Sequence, residues 1–195
     1  MVWVGPVVEC DCACGAFAVS LHRLRKLLGH ADVVELSEGM VSLDAAKCWA
    51  DLWALGNYFQ EEDYAAGGTA PETVLQLYRG HFLAEEIEGS WALSARERIR
   101  GQFLRHIARA GRSREEAGEL DLAVLLYQKG IETDDLAEEL YQGLMRCRLG
   151  QARHAEAMAV YRRLRRTLTV TLGLQTAART ERLFRSSQGD CSSTP

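Results

Sequence analysis

The amino-acid sequence predicts an all-α protein, a solenoid of helical hairpins with one short helix and one β-hairpin at its front. Three observations predict it. Apolar residues recur at helical spacing from residue 45 to residue 186, broken only by short loops. Within that stretch a set of small and aromatic residues returns after 34 residues. A single stretch, residues 32–44, alternates apolar and polar side chains as a strand does.

Taken in order, residues 1–15 show no period, contain Gly5, Pro6 and Gly15, and read as an irregular tail. In "AFAVSLHRLRKLLG" a helix is expected over residues 16–28, stopped by Gly29. It places Phe17, Leu21, Leu24 and Leu28 on one face and His22, Arg23, Arg25 and Lys26 on the other. In "DVVELSEGMVSLD" (32–44), Val34, Leu36, Val41 and Leu43 alternate around a turn at Ser37–Gly39, the mark of a β-hairpin. A helix is then expected in "AAKCWADLWALGNYFQEE" (45–62), with Asp44 as its N-cap and Trp49, Leu52, Trp53 and Leu55 facing a core. Trp49 and Trp53 follow the hairpin directly and read equally well as a link between the two parts. "YAAGGTAPE" (64–72) reads as a loop, and "PETVLQLYRGHFL" (71–83) as a helix opened by Pro71. "WALSARERIRGQFLRHIARAGR" (91–112) reads as a long helix with Trp91, Ile99, Phe103 and Ile107 inward and Arg96, Arg98, Arg100, Arg105 and Arg109 outward.

The repeat lies beyond residue 114. Ala123, Tyr127, Gly130 and Asp135 are spaced 4, 3 and 5 apart, and Ala157, Tyr161, Leu164 and Thr169 repeat that spacing 34 residues on. Thirty-four is the tetratricopeptide period, in which a small residue lets two antiparallel helices approach and an aromatic packs across them. Tyr141 and Leu144 take the first-helix positions of the second copy. The turn-ending proline of the repeat is absent at Asp135 and Thr169. Because fewer than three repeats seldom stand alone, residues 71–112 are expected to supply a divergent first one.

Composition narrows the function. The 195 residues are 47% hydrophobic and 26% charged, with a net charge of −4, so any nucleic-acid contact needs a local basic patch. No apolar run approaches the roughly 20 residues of a membrane span, and no secretory leader is evident, so a cytoplasmic protein is expected. Cys10, Cys12 and Cys14 form C-x-C-x-C, and with Cys48, Cys147 and Cys191 they read as free thiols of a reducing compartment. Without C-x2-C knuckles the trio is not expected to hold a metal. No phosphate loop, G-x-S-x-G or H-E-x-x-H is present, so neither an enzyme nor a cofactor is expected. "RRLRR" (162–166) and the arginines of 96–114 read as solvated faces offset by acids such as Glu85, Glu86, Asp134, Glu138 and Glu139. A docking surface for an acidic segment or a DNA backbone is the alternative.

Two resemblances follow from these residues. "SLHRLRKLLGHADVVELSEGMVSLD" resembles the C-terminal end of an OmpR/PhoB-type winged helix, in which a recognition helix is followed at once by a two-stranded wing. "LYRGHFL" (77–83), "WALSARERIR" (91–100), "AEELYQGLMRCRLGQARHAEAMAVYRRLRRTL" (137–168) and "LGLQTAARTERLF" (172–184) resemble the bacterial transcriptional activator domain of SARP, AfsR-type and MalT-like regulators. The resemblance divides the chain into a tail (1–15), a partial winged helix (16–44), an activator domain (45–186) and a polar tail (187–195). It implies that His22, Arg23, Arg25 and Lys26 meet DNA. It also implies that the helical part mediates self-association or contacts transcription machinery such as RNA polymerase or a regulatory domain in the same polypeptide. The family's winged helix carries further elements before the recognition helix, and residues 1–15 do not read as those. The chain is therefore expected to be a fragment or a truncated product, with Phe17, Leu21, Leu24 and Leu28 pairing between chains in a homodimer. The competing class is a stand-alone protein-binding adaptor that does not touch DNA.

Overall fold

The computed structural model of the chain describes residues 11–30, 32–37, 39–60, 71–83 and 90–189. It opens with α1 (Asp11–Leu27) and an antiparallel pair, β1 (Val34–Ser37) and β2 (Met40–Leu43). Helices α2 (Asp51–Gln60), α3 (Pro71–Leu77), α4 (Ser90–Glu116), α5 (Leu120–Thr133), α6 (Glu138–Gly150), α7 (His154–Leu172) and α8 (Ala178–Gly189) follow. Among the described residues the protein is all-α apart from one hairpin, as the periodicity predicts.

The 34-residue spacing becomes two stacked helical hairpins, α4–α5 and α6–α7, with α8 laid against α6 and α7. All six of Ala123, Tyr127, Gly130, Ala157, Tyr161 and Leu164 are buried. Close approach explains the small residues. A methyl group at Gly143 would stand 2.4 Å from Tyr127 Cζ, and one at Gly111 would stand 2.6 Å from Tyr127 Cε1. The Tyr127 ring is thus seated between the backbones of α4 and α6, which locks the two hairpins together. Its hydroxyl donates to Glu115 Oε2 at 3.1 Å. One repeat later, Tyr161 stacks on Phe184 at 4.0 Å and donates to Glu181 at 2.7 Å, fixing α8.

The turns repeat as well. At the end of α4 the Gly118 amide donates to Glu115 O and the Glu119 amide to Arg114 O. Thirty-four residues on, the Ala152 amide donates to Leu149 O and the Arg153 amide to Arg148 O. Both pivots are left-handed, Gly118 at φ +78° and Ala152 at +58°. Glycine takes that conformation freely and alanine does so under strain.

Ahead of these hairpins, α2 and α3 pack on α4. Leu55, Val74 and Tyr78 join the same core as Ile99, Phe103 and Ile107, and Tyr78 stacks on Phe103 at 3.8 Å. The pair preceding the first full repeat is therefore α2–α3, and α4 is the first helix of that repeat rather than the end of a divergent one.

Several local expectations are corrected. The first helix begins at Asp11, five residues early, and runs through Gly15. Asp44 is not an N-cap: its carboxylate accepts the Ala46 amide at 2.9 Å in a tight turn, and α2 starts only at Asp51. Trp49, now outside a helix, is 70% exposed. α3 ends at Leu77, and Arg96 turns back to donate to the carbonyls of Phe82 (2.8 Å) and Leu83 (2.6 Å) rather than facing outward. The Trp91 side chain, Glu85 and Glu86, the start of the N-terminal tail, the loop around Gly67–Gly68 and the last residues of the chain lie outside the described residues.

Candidate nucleic-acid interface

The basic helix and the hairpin form one small unit, organised by Arg25. The Arg25 guanidinium donates to the Val34 carbonyl twice, from Nη2 at 2.7 Å and Nε at 3.2 Å. This pins the last turn of α1 to the first residue of β1. Leu21, Val33 and Val34 are buried. The strands pair Val34 with Leu43, Glu35 with Ser42, Leu36 with Val41 and Ser37 with Met40. The Asp44 amide donates to Val33 O at 2.8 Å, extending the ladder by one bond.

Lys47 closes the base of the hairpin by bridging Asp32 (2.9 Å) and Asp44 (3.0 Å). The Lys47 hydrogen bond holds the Asp32 carboxyl below the ordinary aspartate range, and the Ala46 amide followed by Lys47 does the same for Asp44. The two carboxylates in turn raise Lys47.

Of the four residues expected to meet DNA, the fold brings three to one exposed patch. His22, Arg23 and Lys26 are all exposed, and Lys26 lies three and four residues beyond the other two, one helical turn on. Arg25 is half-buried, with two of its five N–H donors taken by Val34. Its position in the sequence gives no sign of this bracing role. Arg25 and Lys26 also fall in the last turn of α1, where the helix dipole favours cations. Among the described residues no three metal-ligating side chains cluster; Cys10 and the Cys12 and Cys14 side chains lie outside them.

The opposite face of α1 behaves unevenly. Leu21 is buried, whereas Phe17 is 43%, Leu24 40% and Leu28 42% exposed. The hairpin shows the same incomplete cover, with Leu36 and Leu43 exposed beside buried Val34.

The arginines of the helical hairpins are largely paired. Arg112 meets Glu139 and Arg100 meets Glu97, each with a close contact; Arg100 also faces Asp134 at 3.4 Å. Arg146 grips Glu115 with two bonds of 2.6 and 2.9 Å, across α4 and α6. Glu138, expected to offset a basic stripe, instead accepts the Ala177 amide at 2.8 Å and the Thr180 hydroxyl, so it seats the start of α8. A second basic feature, which inspection of single motifs misses, lies between α6 and α8: a cleft lined by Arg146, Arg179, Arg182, Leu183 and Ser186. The i, i+3 spacing of Arg179 and Arg182 is its one sequence signal.

The described elements make a solenoid of paired helices packed around a tyrosine-and-glycine seam, with a helix–hairpin unit at its N-terminal end. The family model described as the bacterial transcriptional activator domain matches residues 49–186, and the chain belongs to this family. A solved structure of Mycobacterium tuberculosis EmbR, described as in complex with a low-affinity phosphopeptide, shares the fold at a TM-score of 0.66. The two are 20% identical over 93% of this chain and 51% of that one, so this chain spans about half the length of that protein. None of the curated proteins matches the chain. Among the described residues no helix is long and apolar enough to cross a membrane.

Proposed function

We propose that the chain works in the cytoplasm as the regulatory part of a transcription activator, with α1 as a DNA-reading helix and β1–β2 as its wing. One observation carries the reading. The Arg25 clamp fixes α1 against the hairpin while leaving His22, Arg23 and Lys26 exposed on a single turn. A helix end so presented can enter a major groove, and its cations can reach phosphates and base edges. The helical hairpins then hold a partner, a second copy or the transcription machinery, because stacked helices offer broad surfaces for peptides and helices.

Fluorescence anisotropy of the chain with labelled duplex DNA tests this. Binding is expected at low salt and weakens steeply toward physiological salt, as release of counterions from the phosphates requires. Arg23→Glu with Lys26→Glu removes it. Binding that survives this double reversal takes α1 out of the mechanism. Arg25 is left in place, since its loss would disturb the hairpin itself.

The exposed apolar ridge of Phe17, Leu24 and Leu28 supports a second role for α1, pairing with its copy in a homodimer. Light scattering decides: a dimer mass that falls to the monomer in Phe17→Ser with Leu24→Ser supports pairing, and a monomer at high concentration refutes it. A dimer with no affinity for DNA at low salt would make the chain a protein-binding adaptor.

A further inference from the structure

The C-terminal part of the chain carries a charge that the whole does not. Residues 138–189 contain ten arginines, no lysine and four glutamates, +6 in a chain of net −4. Several of these arginines are occupied. Arg146 is gripped by Glu115, Arg148 and Arg153 face Glu156, and Arg163 lies over the Tyr141 ring. Arg165 and Arg185 act on Glu181. Arg179 and Arg182 have no acidic partner among the described residues.

These two line the α6–α8 cleft, a space of about 400 Å³ with Arg146, Leu183 and Ser186. The cleft is held ready. Gln142 Nε2 donates to Thr180 Oγ1 at 3.0 Å, both residues buried, and Glu138 binds the first turn of α8. Glu138, Gln142 and Arg146 are spaced four apart on α6, so the network that docks α8 leads directly to the cleft.

We propose that this cleft docks an acidic segment of a partner protein, with carboxylates on Arg179 and Arg182 and a neighbouring apolar side chain on Leu183. The guanidinium fork matches a carboxylate with two parallel hydrogen bonds. Arg146 is already neutralised and oriented by Glu115, so it borders the site without adding a bare charge. The cleft is open and shallow, a shape for a chain laid across it rather than for an enclosed small molecule. Leu183 in its lining favours a peptide over a duplex backbone, which has no apolar side chain to offer. The proposal rests on the helical hairpins being a contact domain and is independent of DNA reading by α1.

The test titrates the full chain into a labelled short peptide of alternating Glu and Leu at low salt. Saturable binding is expected, weakened about tenfold or more by Arg179→Glu with Arg182→Glu. Arg162→Glu with Arg166→Glu, an equal charge change on exposed positions of α7, should leave it within about twofold. Melting by circular dichroism checks that each variant keeps its fold; Arg179→Gln with Arg182→Gln replaces the reversal if α8 is lost. No saturable binding overturns the proposal, as does equal weakening by both reversals. Displacement of the peptide by duplex DNA that itself depends on Arg179 and Arg182 also overturns it. Duplex binding that depends only on Arg23 and Lys26 leaves it standing, so the two readings fail separately.

Discussion

The helical hairpins and the helix–hairpin unit at the front are stabilised by different means. In the hairpins, Phe103, Ile107, Tyr127, Leu140, Tyr141 and Leu164 are completely buried in a continuous core. Among the described residues of the front unit only Leu21, Val33 and Val34 are buried, and polar links do most of the organising: Arg25 to Val34, Lys47 to Asp32 and Asp44. A lone two-stranded sheet is marginal in water. The stacked hairpins therefore rest on apolar burial, whereas the front unit rests on polar links and is ordered at low net gain. Such a unit keeps its apolar ridge and its cations available for contacts.

The largest effect should follow from breaking the seam. Tyr127→Ala empties the space between Gly111 and Gly143, a loss of about 3–5 kcal/mol. Gly143→Ala drives a methyl into the same ring, at about 1–3 kcal/mol. Both are read by thermal melting of the whole chain. A Tyr127→Ala variant that melts like the parent would mean that the hairpins are not locked by this ring.

The two left-handed pivots of the hairpins differ in the residue that holds them. Gly118→Ala should lower stability by about 1 kcal/mol, and Ala152→Gly should raise it by up to about that amount. Opposite signs in urea denaturation are the signature; a shared sign would show that the turns are not equivalent.

Removing the Arg25 clamp should act on the front unit alone. Arg25→Ala is expected to cost about 1 kcal/mol locally, less than a buried charged hydrogen bond because the group is half-exposed. Amide exchange should quicken in β1 and β2 and stay unchanged in α5 and α6. Faster exchange throughout would contradict the separation of the two regions.

Acid gives the mildest and most selective effect. The carboxyls of Asp32 and Asp44 are depressed, so their contribution is complete above the unfolded value of about 3.9 and lost as pH falls through the folded one. Lys47 is raised, so its contribution is complete below about 10.4 and lost only at higher pH. NMR amide signals of Val34–Leu43 should therefore shift below about pH 4, before those of the core.

How much of this the sequence showed depends on the range of the interaction. Ala123, Tyr127, Ala157 and Tyr161 were legible because a helix repeats its own spacing, and the hairpin was legible because strands alternate. Asp44 was misread because an aspartate that closes a turn and one that caps a helix look alike. The core placement of Trp49 failed with it, since α2 starts only at Asp51 and leaves Trp49 outside the helix. Arg25 and the Arg179–Arg182 cleft were not legible, for each depends on what a distant backbone or helix places beside it. The Gly111 and Gly143 contacts likewise required the stacking of α4 on α6.

α1 and the hairpin are proposed to read DNA while the stacked hairpins stand apart from it. Amide hydrogen exchange of the full chain, with and without duplex DNA at low salt, addresses this directly. Protection should rise across His22–Leu27 and in the β1–β2 segment and remain unchanged in α4–α7. Protection confined to α7 or α8, or none at all, would contradict it.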